Sequence, residues 1–282
     1  MFTAVAVAAA LSAPVPKAPA PELKWRFNKG DTFYVVSEQE ATVSVNLGGG
    51  NAAAQKNTST TSLTYKVTVA DADPKATVLE VEFIDSAVGV GGNAAPPVKP
   101  EGLPGKTLTF TLDADHKVTK VDGVDGVLKA AAGGGLNGMF QGEEGIKHML
   151  DDPLRAVPGK VLGKGDTWTA ERTQSLGDGI SMTRTDKGTV SGNEGGLTKL
   201  DVESDHTMEW TGNAPISLKL KGEKGKRTVL FDPKAGRVTK VTDAYTMSGD
   251  GTIGGGGNGQ AINLSMEMKG TITVSDEKPK AK

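Results

Sequence analysis

The sequence predicts a mainly β protein made of two similar antiparallel, strongly curved sheet halves, half-open and barrel-like, with a short helical segment between them. Three observations predict this fold class. Apolar and polar residues alternate with a period of two in many segments, helical spacing occurs in one region only, and a short motif occurs twice, as KGDTF from residue 29 and KGDTW from residue 164. One-sided burial of so many strands indicates antiparallel pairing, because parallel sheets are usually buried on both faces.

The composition narrows the classes of function. The 282 residues include no cysteine, which excludes disulfides, thiolate metal sites and a cysteine nucleophile. With 32 basic and 34 acidic residues the net charge is −2, so the charge balance gives no reason to expect nucleic acid or an anionic membrane as a partner. Aromatic residues make up only 5% of the chain, so the core must depend on aliphatic residues and methionine.

The first residues indicate export. Residues 1–13 carry an apolar run that ends in small residues, as a secretory signal peptide does, and residues 14–22 form a proline-rich spacer. No positive residue precedes the run, so a start assigned too late or a non-secretory N-terminal helix stays open. The run is shorter than the ~20 apolar residues that span a bilayer. We expect an exported protein, periplasmic or extracellular, with no transmembrane segment in the mature chain.

The strand signals divide the rest of the chain. The first β half is predicted over residues 23–123 and the second over residues 159–275, followed by a disordered tail at residues 276–282. The clearest alternation covers residues 63–69, 79–83, 107–112, 200–210, 216–221 and 262–275. Turns such as DADP, LDADHK and FDPKAGR, which combine Asp with Gly, Pro or a short polar run, separate these strands.

A helical connector is predicted at residues 124–158, where apolar residues recur at steps of three and four. Glycines interrupt this pattern at residues 133–135, and each interior glycine costs a helix about 1 kcal/mol relative to alanine. We therefore expect two short helices, of which segment 143–152 is the firmer, and we expect Pro153 and Pro158 to close the helical region.

The repeated motif indicates an internal duplication. Each KGDT is followed by a strand, a turn and a second strand ending in VTKV, as GKTLTFTLDADHKVTKV from residue 105 and GKRTVLFDPKAGRVTKV from residue 225. The alternative is that hairpins rich in glycine and threonine repeat such letters by chance. In both cases Asp31 and Asp166 are expected to cap turns rather than to form a catalytic pair.

Three segments together resemble a group of secreted planctomycete proteins known only as a domain of unknown function. The segments are ELKWRFNKGDTFYV, VPGKVLGKGDTW and FDPKAGRVTKV. The shared signature is a proline, a short spacer and Gly-Asp-x-Trp, which Pro158 and residues 165–168 match. The resemblance covers most of the chain from Leu23 onward. It implies export and a sheet-rich fold, and it brings no activity and no functional residue.

Motifs for catalysis, nucleotides and metals are weak. The stretch GLPGKT at residues 102–107 resembles a phosphate-binding loop, but Pro100 stands where that loop has glycine, and a strand is predicted to follow. The stretch DADHK at residues 113–117 places His and Lys where a calcium loop needs oxygen ligands and glycine. Three scattered histidines argue against zinc. We predict no catalytic residue, no cofactor, no metal and no enzymatic activity.

An apolar pocket in the second β half is the candidate site. On the predicted strand at residues 200–210, His206 is in phase with the apolar residues and therefore points to the dry face. A buried histidine can be a base or a metal ligand, but a single satisfied imidazole in a core or at a cavity edge is more common. The candidate lining residues are His206, Met208, Trp210, Met266 and Met268. Methionine side chains fit an irregular core as well as an apolar ligand pocket, so both interpretations stay open.

Curved antiparallel sheets that cover helices resemble, at the level of the fold alone, periplasmic carriers of lipids and lipoproteins. We therefore expect an exported non-enzymatic protein that binds a hydrophobic small molecule or lipid in a curved sheet. The alternative is a structural or interaction protein of the cell envelope, with a fully packed core and a protein partner. Outer strand faces rich in Thr, Lys and Glu favour this alternative. Neither function involves nucleic acid.

Overall fold

The computed structural model describes residues 20–48, 54–91, 97–100, 102–132, 140, 142–177, 179–210, 216–254 and 259–280. The predicted signal peptide at residues 1–13 therefore lies outside the described residues. The strands are β1 (Glu22–Leu23), β2 (Thr32–Leu47), β3 (Gln55–Asp73), β4 (Ala76–Val90), β5 (Thr107–Asp113), β6 (Val118–Asp122), β7 (Lys160–Val161), β8 (Thr167–Gly177), β9 (Ile180–Glu194), β10 (Leu197–Trp210), β11 (Ile216–Asp232), β12 (Arg237–Ile253) and β13 (Gln260–Ser275). The helices are α1 (Val124–Ala132) and α2 (Gly142–Leu154).

Eleven of these strands form one antiparallel sheet in the order β6-β5-β4-β3-β2-β13-β12-β11-β10-β9-β8. The strands β1 and β7 pair with each other in a separate antiparallel ribbon. The prediction of a mainly β, antiparallel protein with two short helices is confirmed. Because β13 pairs with β2 from Ile262–Leu47 to Ser275–Tyr34, the strands of the two predicted halves belong to a single sheet. The strong curvature of a half-open barrel stays a prediction.

The period of two in the sequence decides which side chains each strand buries. On β3 every second residue from Leu63 to Val69 is buried, while the residues between them stay partly exposed. The face that carries these buried residues is named the inner face. Full burial of one large apolar side chain contributes roughly 1.5–3 kcal/mol. The inner face and the two helices share one core, whose helix residues are Val127, Ala131, Ile146, Leu150 and Leu154.

The helix α2 ends differently from the prediction. Pro153 was expected to close the helical region but lies inside the last turn of α2, which ends at Leu154. A proline has no N–H to donate to the carbonyl four residues earlier, here that of Met149. The Tyr65 hydroxyl donates to this carbonyl at 3.5 Å, and Trp25 Nε1–H donates to the Pro153 carbonyl at 3.3 Å. Side chains from outside the helix therefore satisfy the backbone that the proline disturbs.

A tight turn with the KGDT motif leads into β2. Gly30 has φ of 89°, a left-handed conformation that favours glycine. Asp31 Oδ2 accepts the N–H of Asn28 at 3.1 Å. Val69 on β3 accepts the Gly30 N–H at 2.8 Å and donates its own N–H to the Asp31 carbonyl at 2.9 Å. The prediction that Asp31 caps a turn is confirmed.

The second KGDT turn leads into β8 with the same hydrogen bonds. Gly165 has φ of 92°, and Asp166 Oδ2 accepts the N–H of Gly163 at 2.7 Å. Val190 on β9 accepts the Gly165 N–H at 2.8 Å and donates its N–H to the Asp166 carbonyl at 3.0 Å. Asp166 is thus a turn cap as predicted, and the turn takes the same form at both copies of the motif.

The two VTKV segments also occupy matching positions. Each forms part of the second strand of a hairpin, β5–β6 or β11–β12, and each hairpin contains a bulge. Thr119 Oγ1 donates to the Thr111 carbonyl at 3.0 Å, and Thr239 Oγ1 donates to the Leu230 carbonyl at 3.2 Å. Counted from each KGDT turn, β6 and β12 are both the fifth strand. The strand β13 is the additional one, and it lies between β12 and β2.

Candidate functional site

Six charged side chains lie together where α2 meets the inner face of strands β8 to β12. They are named the charge cluster and comprise Asp152, Arg172, Arg184, Asp186, Arg227 and Asp243. The strand register places Arg172 opposite Arg184 and Arg227 opposite Asp243. Asp152 comes from the last turn of α2. Since charges are rarely buried without partners, each contact within the cluster matters to the fold.

Asp152 connects α2 to two strands. Arg227 donates Nη1–H to Oδ1 at 3.1 Å and Nη2–H to Oδ2 at 2.7 Å, a bidentate pair, and Arg184 donates Nη1–H to Oδ1 at 3.4 Å. The Arg227 side chain is 2% exposed and that of Asp152 is 39% exposed, so solvent reaches the pair from the carboxylate side. Burial by itself would raise the pKa of Asp152, but Arg227 and Arg184 outweigh it and hold that pKa well below its usual range.

Asp186 holds the other end of the Arg184 guanidinium. Its Oδ1 accepts Arg184 Nε–H at 2.6 Å and the Ser204 hydroxyl at 2.5 Å, and its Oδ2 lies 4.0 Å from Arg172 Nη2. Burial alone would raise the pKa of Asp186, yet Arg184 and Ser204 lower it overall. Burial lowers the pKa of the Arg172 guanidinium to about 10. Arg184 therefore links both carboxylates, one on a helix and one on a strand.

His206 and Tyr245 stack on each other beside the charge cluster. Their ring centroids are 4.2 Å apart and their planes differ by 17°. The strand between them carries Gly225, where an added Cβ would lie 2.8 Å from Tyr245 Cβ and 3.2 Å from His206 Cε1. His206 is 4% exposed, which confirms that it points to the dry face. Burial and then Arg184 lower the pKa of His206 to about 4, and burial raises the pKa of Tyr245 to about 12.

The stability of the protein should fall between pH 6.5 and about pH 4 because of His206. In this window the unfolded chain binds a proton that the native His206 does not, so the free energy of unfolding decreases as the pH drops. The loss should be on the order of 2 kcal/mol, with allowance for partial solvent access. Urea unfolding at several pH values measures it.

In the variant His206→Gln the free energy of unfolding should lose most of this dependence on pH. Glutamine approximates the shape of the histidine side chain and keeps a hydrogen-bonding group. Part of the slope remains in the variant, because burial also lowers the pKa of His116 and because the lowered pKa values of Asp152 and Asp186 add a slope near pH 4. Equal slopes in wild type and His206→Gln would contradict the assignment.

A small cavity of about 10 Å³ lies between the charge cluster and the stacked rings. Its lining includes Arg184, Ser204, His206, Arg227 and Asp243. Within the described part of the chain, Arg184 Nη2, Arg227 Nε and His206 Nδ1 are buried and have no hydrogen-bond partner. Buried polar atoms without partners are rare and costly. The cluster therefore retains hydrogen-bonding capacity that its own residues do not use.

Beyond the stacked rings the inner face becomes apolar again. Buried Leu218, Leu220 and Met247 form a second cluster, separate from the core, and five half-buried side chains pack against it. These eight residues are named the apolar patch: Met208, Trp210, Leu218, Leu220, Tyr245, Met247, Leu264 and Met266. All of them lie on β10 to β13. Among the described residues, the helices contribute to the core and not to the patch.

The predicted pocket residues lie in or beside this patch. Met208, Trp210 and Met266 belong to it. His206 lies at its border through the stack on Tyr245, and Met268 pairs with Tyr245 across β12 and β13. The five residues named from the sequence therefore lie near one another on the sheet, and their role as a ligand site stays a prediction.

Sequence reasoning misses the charge cluster, although a signal was present. Arg184 and Asp186 alternate in phase with the buried Val190, and Arg227 is in phase with the buried Val229. Charged residues at dry positions of a strand indicate partners across the sheet. The partner on α2 could not be read from the sequence, because Asp152 and Arg227 are 75 positions apart.

A larger groove of about 370 Å³ lies over the middle of the sheet, on β2, β3 and β13. Most of the residues that line it carry polar side chains, among them Glu38, Glu40, Thr60, Ser62, Lys269 and Thr271. These residues are out of phase with the buried residues of their strands, which places the groove on the face opposite the core.

The weaker motifs were also placed by the structure. Residues 102–107 lead into β5, so a strand follows GLPGKT as predicted. Asp113 Oδ1 accepts the N–H groups of Asp115 and Lys117, both at 2.9 Å, which confirms that Asp113 caps a turn. Among the described residues no three acidic or histidine side chains are grouped to hold a metal ion. None of the described helices has the length and apolar character to cross a membrane.

Comparisons with known proteins give distant likenesses. No protein-family model and no curated protein matches the chain. The chain is similar to lipovitellin, in a solved structure that describes its lipid–protein interactions. The identity is 11% and the TM-score is 0.44, and the match covers 91% of this chain and 26% of the lipovitellin chain. The chain thus spans about a quarter of that protein's length.

Two outer membrane proteins of Pseudomonas are also similar. An outer membrane channel of Pseudomonas putida F1 shows 12% identity and a TM-score of 0.23, covering 92% of this chain and 99% of the channel. OprG of Pseudomonas aeruginosa shows 8% identity and a TM-score of 0.24, and the match covers 89% of this chain and 98% of OprG. The resemblance to secreted planctomycete proteins stays a prediction.

Proposed function

We propose that this protein is an exported, non-enzymatic protein that binds a hydrophobic, lipid-like ligand on the inner face of its sheet. The apolar patch is the observation that carries the proposal. It continues the inner face beyond the part that α1 and α2 cover, and it consists of strand residues alone in the described chain. A sheet with an apolar face is stable when a second layer covers that face. An acyl chain would supply this layer.

The residue types of the patch support a flexible apolar ligand. Met208, Met247 and Met266 have unbranched, polarizable side chains that adapt to irregular shapes. The neighbouring strand β2 extends the apolar surface, because Val43 is opposite Met266 and Val45 is opposite Leu264. The ligand surface would therefore cross from the second half of the chain to the first.

Export and duplication belong to the same proposal. The apolar run in residues 1–13 and the absence of cysteine are compatible with export. The matching hydrogen bonds of the two KGDT turns, with VTKV on the fifth strand after each turn, support descent from one repeated five-strand unit. In this account β13 joins the two units into a sheet wide enough for a ligand.

Purified full-length protein should bind the fluorescent probe N-phenyl-1-naphthylamine, and protein from its host envelope should carry lipid in native mass spectrometry. The variant Met266→Glu should weaken probe binding at least about fivefold, because it removes apolar contact and adds a charge. The control Ser265→Glu adds the same charge on the opposite face of β13 and should bind as wild type does. A wild-type protein that carries no lipid and ignores the probe would overturn the proposal.

A structural or interaction protein of the envelope is the second candidate function. The polar groove opposite the core favours it, since its Glu, Thr and Lys side chains suit a polar protein partner. Cross-linking in the envelope followed by mass spectrometry would identify such a partner, and Glu40→Lys should abolish the cross-link. No probe binding together with a partner lost in Glu40→Lys would favour this function over the first.

A further inference from the structure

We propose that the charge cluster binds the anionic headgroup of the ligand, a carboxylate, and that Asp152 occupies the place of this headgroup when the ligand is absent. The proposal rests on the proposed function, because the chain of the ligand would lie on the apolar patch. It adds a substrate class, a single-chain amphiphile with a carboxylate, and a residue with which this ligand competes.

The contacts of Asp152 show what the arginines recognise. Arg227 offers its two Nη atoms to both oxygens of one carboxylate, and Arg184 adds a third donor to the same group. A planar guanidinium fork matches carboxylate and phosphate oxygens in this bidentate way. Because Arg227 is almost fully buried and Asp152 is 39% exposed, a second carboxylate would approach from the side that Asp152 now covers.

The cluster and the neighbouring His206 also have nitrogen atoms without partners beside this pair. Arg184 Nη2 and Arg227 Nε lack partners among the described residues, as does Nδ1 of His206, and all three residues line the same small cavity. Counted as whole residues, Arg227 and His206 are 3% and 4% exposed. A cavity of about 10 Å³ is the size of one water-sized group, so it admits an oxygen atom but not a whole headgroup. A headgroup therefore needs the place of Asp152.

Exchange of the two carboxylates balances the buried charge. The cluster contains three arginines and three aspartates, so it is formally neutral. A ligand carboxylate added to the filled cluster would bury an uncompensated negative charge, which is costly. If Asp152 turns toward solvent as the ligand carboxylate enters, the number of negative charges in contact with the arginines stays the same. Asp152 lies in the last turn of α2, so its release would also loosen the attachment of α2 to the strands.

The position of the cluster fits a headgroup whose chain lies on the apolar patch. His206 and Met208 point to the same face of β10 and are two residues apart, about 7 Å along the strand. Arg184 and Met182 stand in the same relation on β9, and Met182 is opposite Met208. The far end of the patch at Trp210 is about 13 Å from His206 along β10. Headgroup site and chain site are therefore continuous on one surface.

The test compares cis-parinaric acid, a fluorescent fatty acid, with its methyl ester on full-length protein. Wild-type protein should bind the acid at least about tenfold more tightly than the ester, because only the acid makes charge-assisted hydrogen bonds to the arginines. The variant Asp152→Asn should bind the acid about tenfold more tightly than wild type, since its competitor has lost its charge, and should bind the ester unchanged. The control Asp151→Asn removes the neighbouring carboxylate, which pairs with Arg155, and should change neither affinity.

Each other outcome overturns the inference in a distinguishable way. Equal binding of acid and ester by wild type, a comparison that needs no variant, would overturn the headgroup site and leave the proposed function intact. If a folded Asp152→Asn variant bound cis-parinaric acid more weakly than wild type, the exchange of Asp152 for the ligand carboxylate would be overturned. Acetate that competes as strongly as the fatty acid would show a small-anion site instead of a lipid headgroup site. Binding of neither probe would instead defeat the proposed function itself.

Discussion

Replacing Arg227 by leucine should lower the free energy of unfolding by about 3 kcal/mol, the lower end of the range for breaking a buried ion pair, because it leaves two partly buried carboxylates without their main partner. Asp152 would lose its bidentate contact, at 3.1 and 2.7 Å. Asp243 would lose the positive neighbour that opposes the effect of burial on its raised pKa. Urea unfolding with linear extrapolation measures the change.

The control for this prediction is Lys226→Leu, which removes an exposed positive charge from the adjacent position of β11. The double variant Arg227→Leu, Asp152→Leu should recover part of the lost stability, because a buried charge pair replaced by apolar groups is often nearly neutral. If Arg227→Leu were as stable as Lys226→Leu, the charge cluster would not hold α2 to the sheet.

Phe231→Ala should destabilise the fold by about 3–5 kcal/mol, the usual range for truncating a buried phenylalanine. Phe231 is 0% exposed and belongs to the core cluster. It pairs with Val238 at the bulge of the β11–β12 hairpin. Thermal unfolding followed by circular dichroism measures the effect.

The matched variant is Leu230→Ala, which truncates the preceding residue on the opposite, partly exposed face. It should cost less than half as much, because less apolar surface is lost from a half-exposed position. Similar costs for the two variants would mean that the alternation along β11 does not separate a dry face from a wet one.

The strands could be predicted from the sequence because a strand that is buried on one face alternates apolar and polar residues. The strand predicted at residues 200–210 is observed as β10, and the strand predicted at residues 262–275 as β13. The turn aspartates could be predicted for a similar reason, since Asp31 and Asp166 bond to backbone within their own turns. Local chemistry sufficed in each case.

The site depends on contacts between residues that are distant along the chain, and such contacts produce a weaker pattern in the sequence. Met208 and Trp210 are recognisable on one face of a strand, but their packing on Leu220 and Met247 depends on the register of three strands. The contact of Asp152 with Arg227 depends in addition on how α2 lies on the sheet. Pro153 shows the same limit, because Tyr65 and Trp25 satisfy the backbone that a proline would otherwise leave open at the end of α2.

The central claim is that the apolar patch binds an acyl chain, and photo-cross-linking tests it most directly. Full-length protein would be irradiated with a fatty acid that carries a diazirine near the end of its chain, and labelled peptides would be identified by mass spectrometry. The account predicts saturable labelling of β10 to β13 at patch residues such as Met208, Met247 and Met266. Labelling confined to the polar groove around Glu40 and Thr60, or labelling that does not saturate, would contradict the claim that the apolar patch binds an acyl chain.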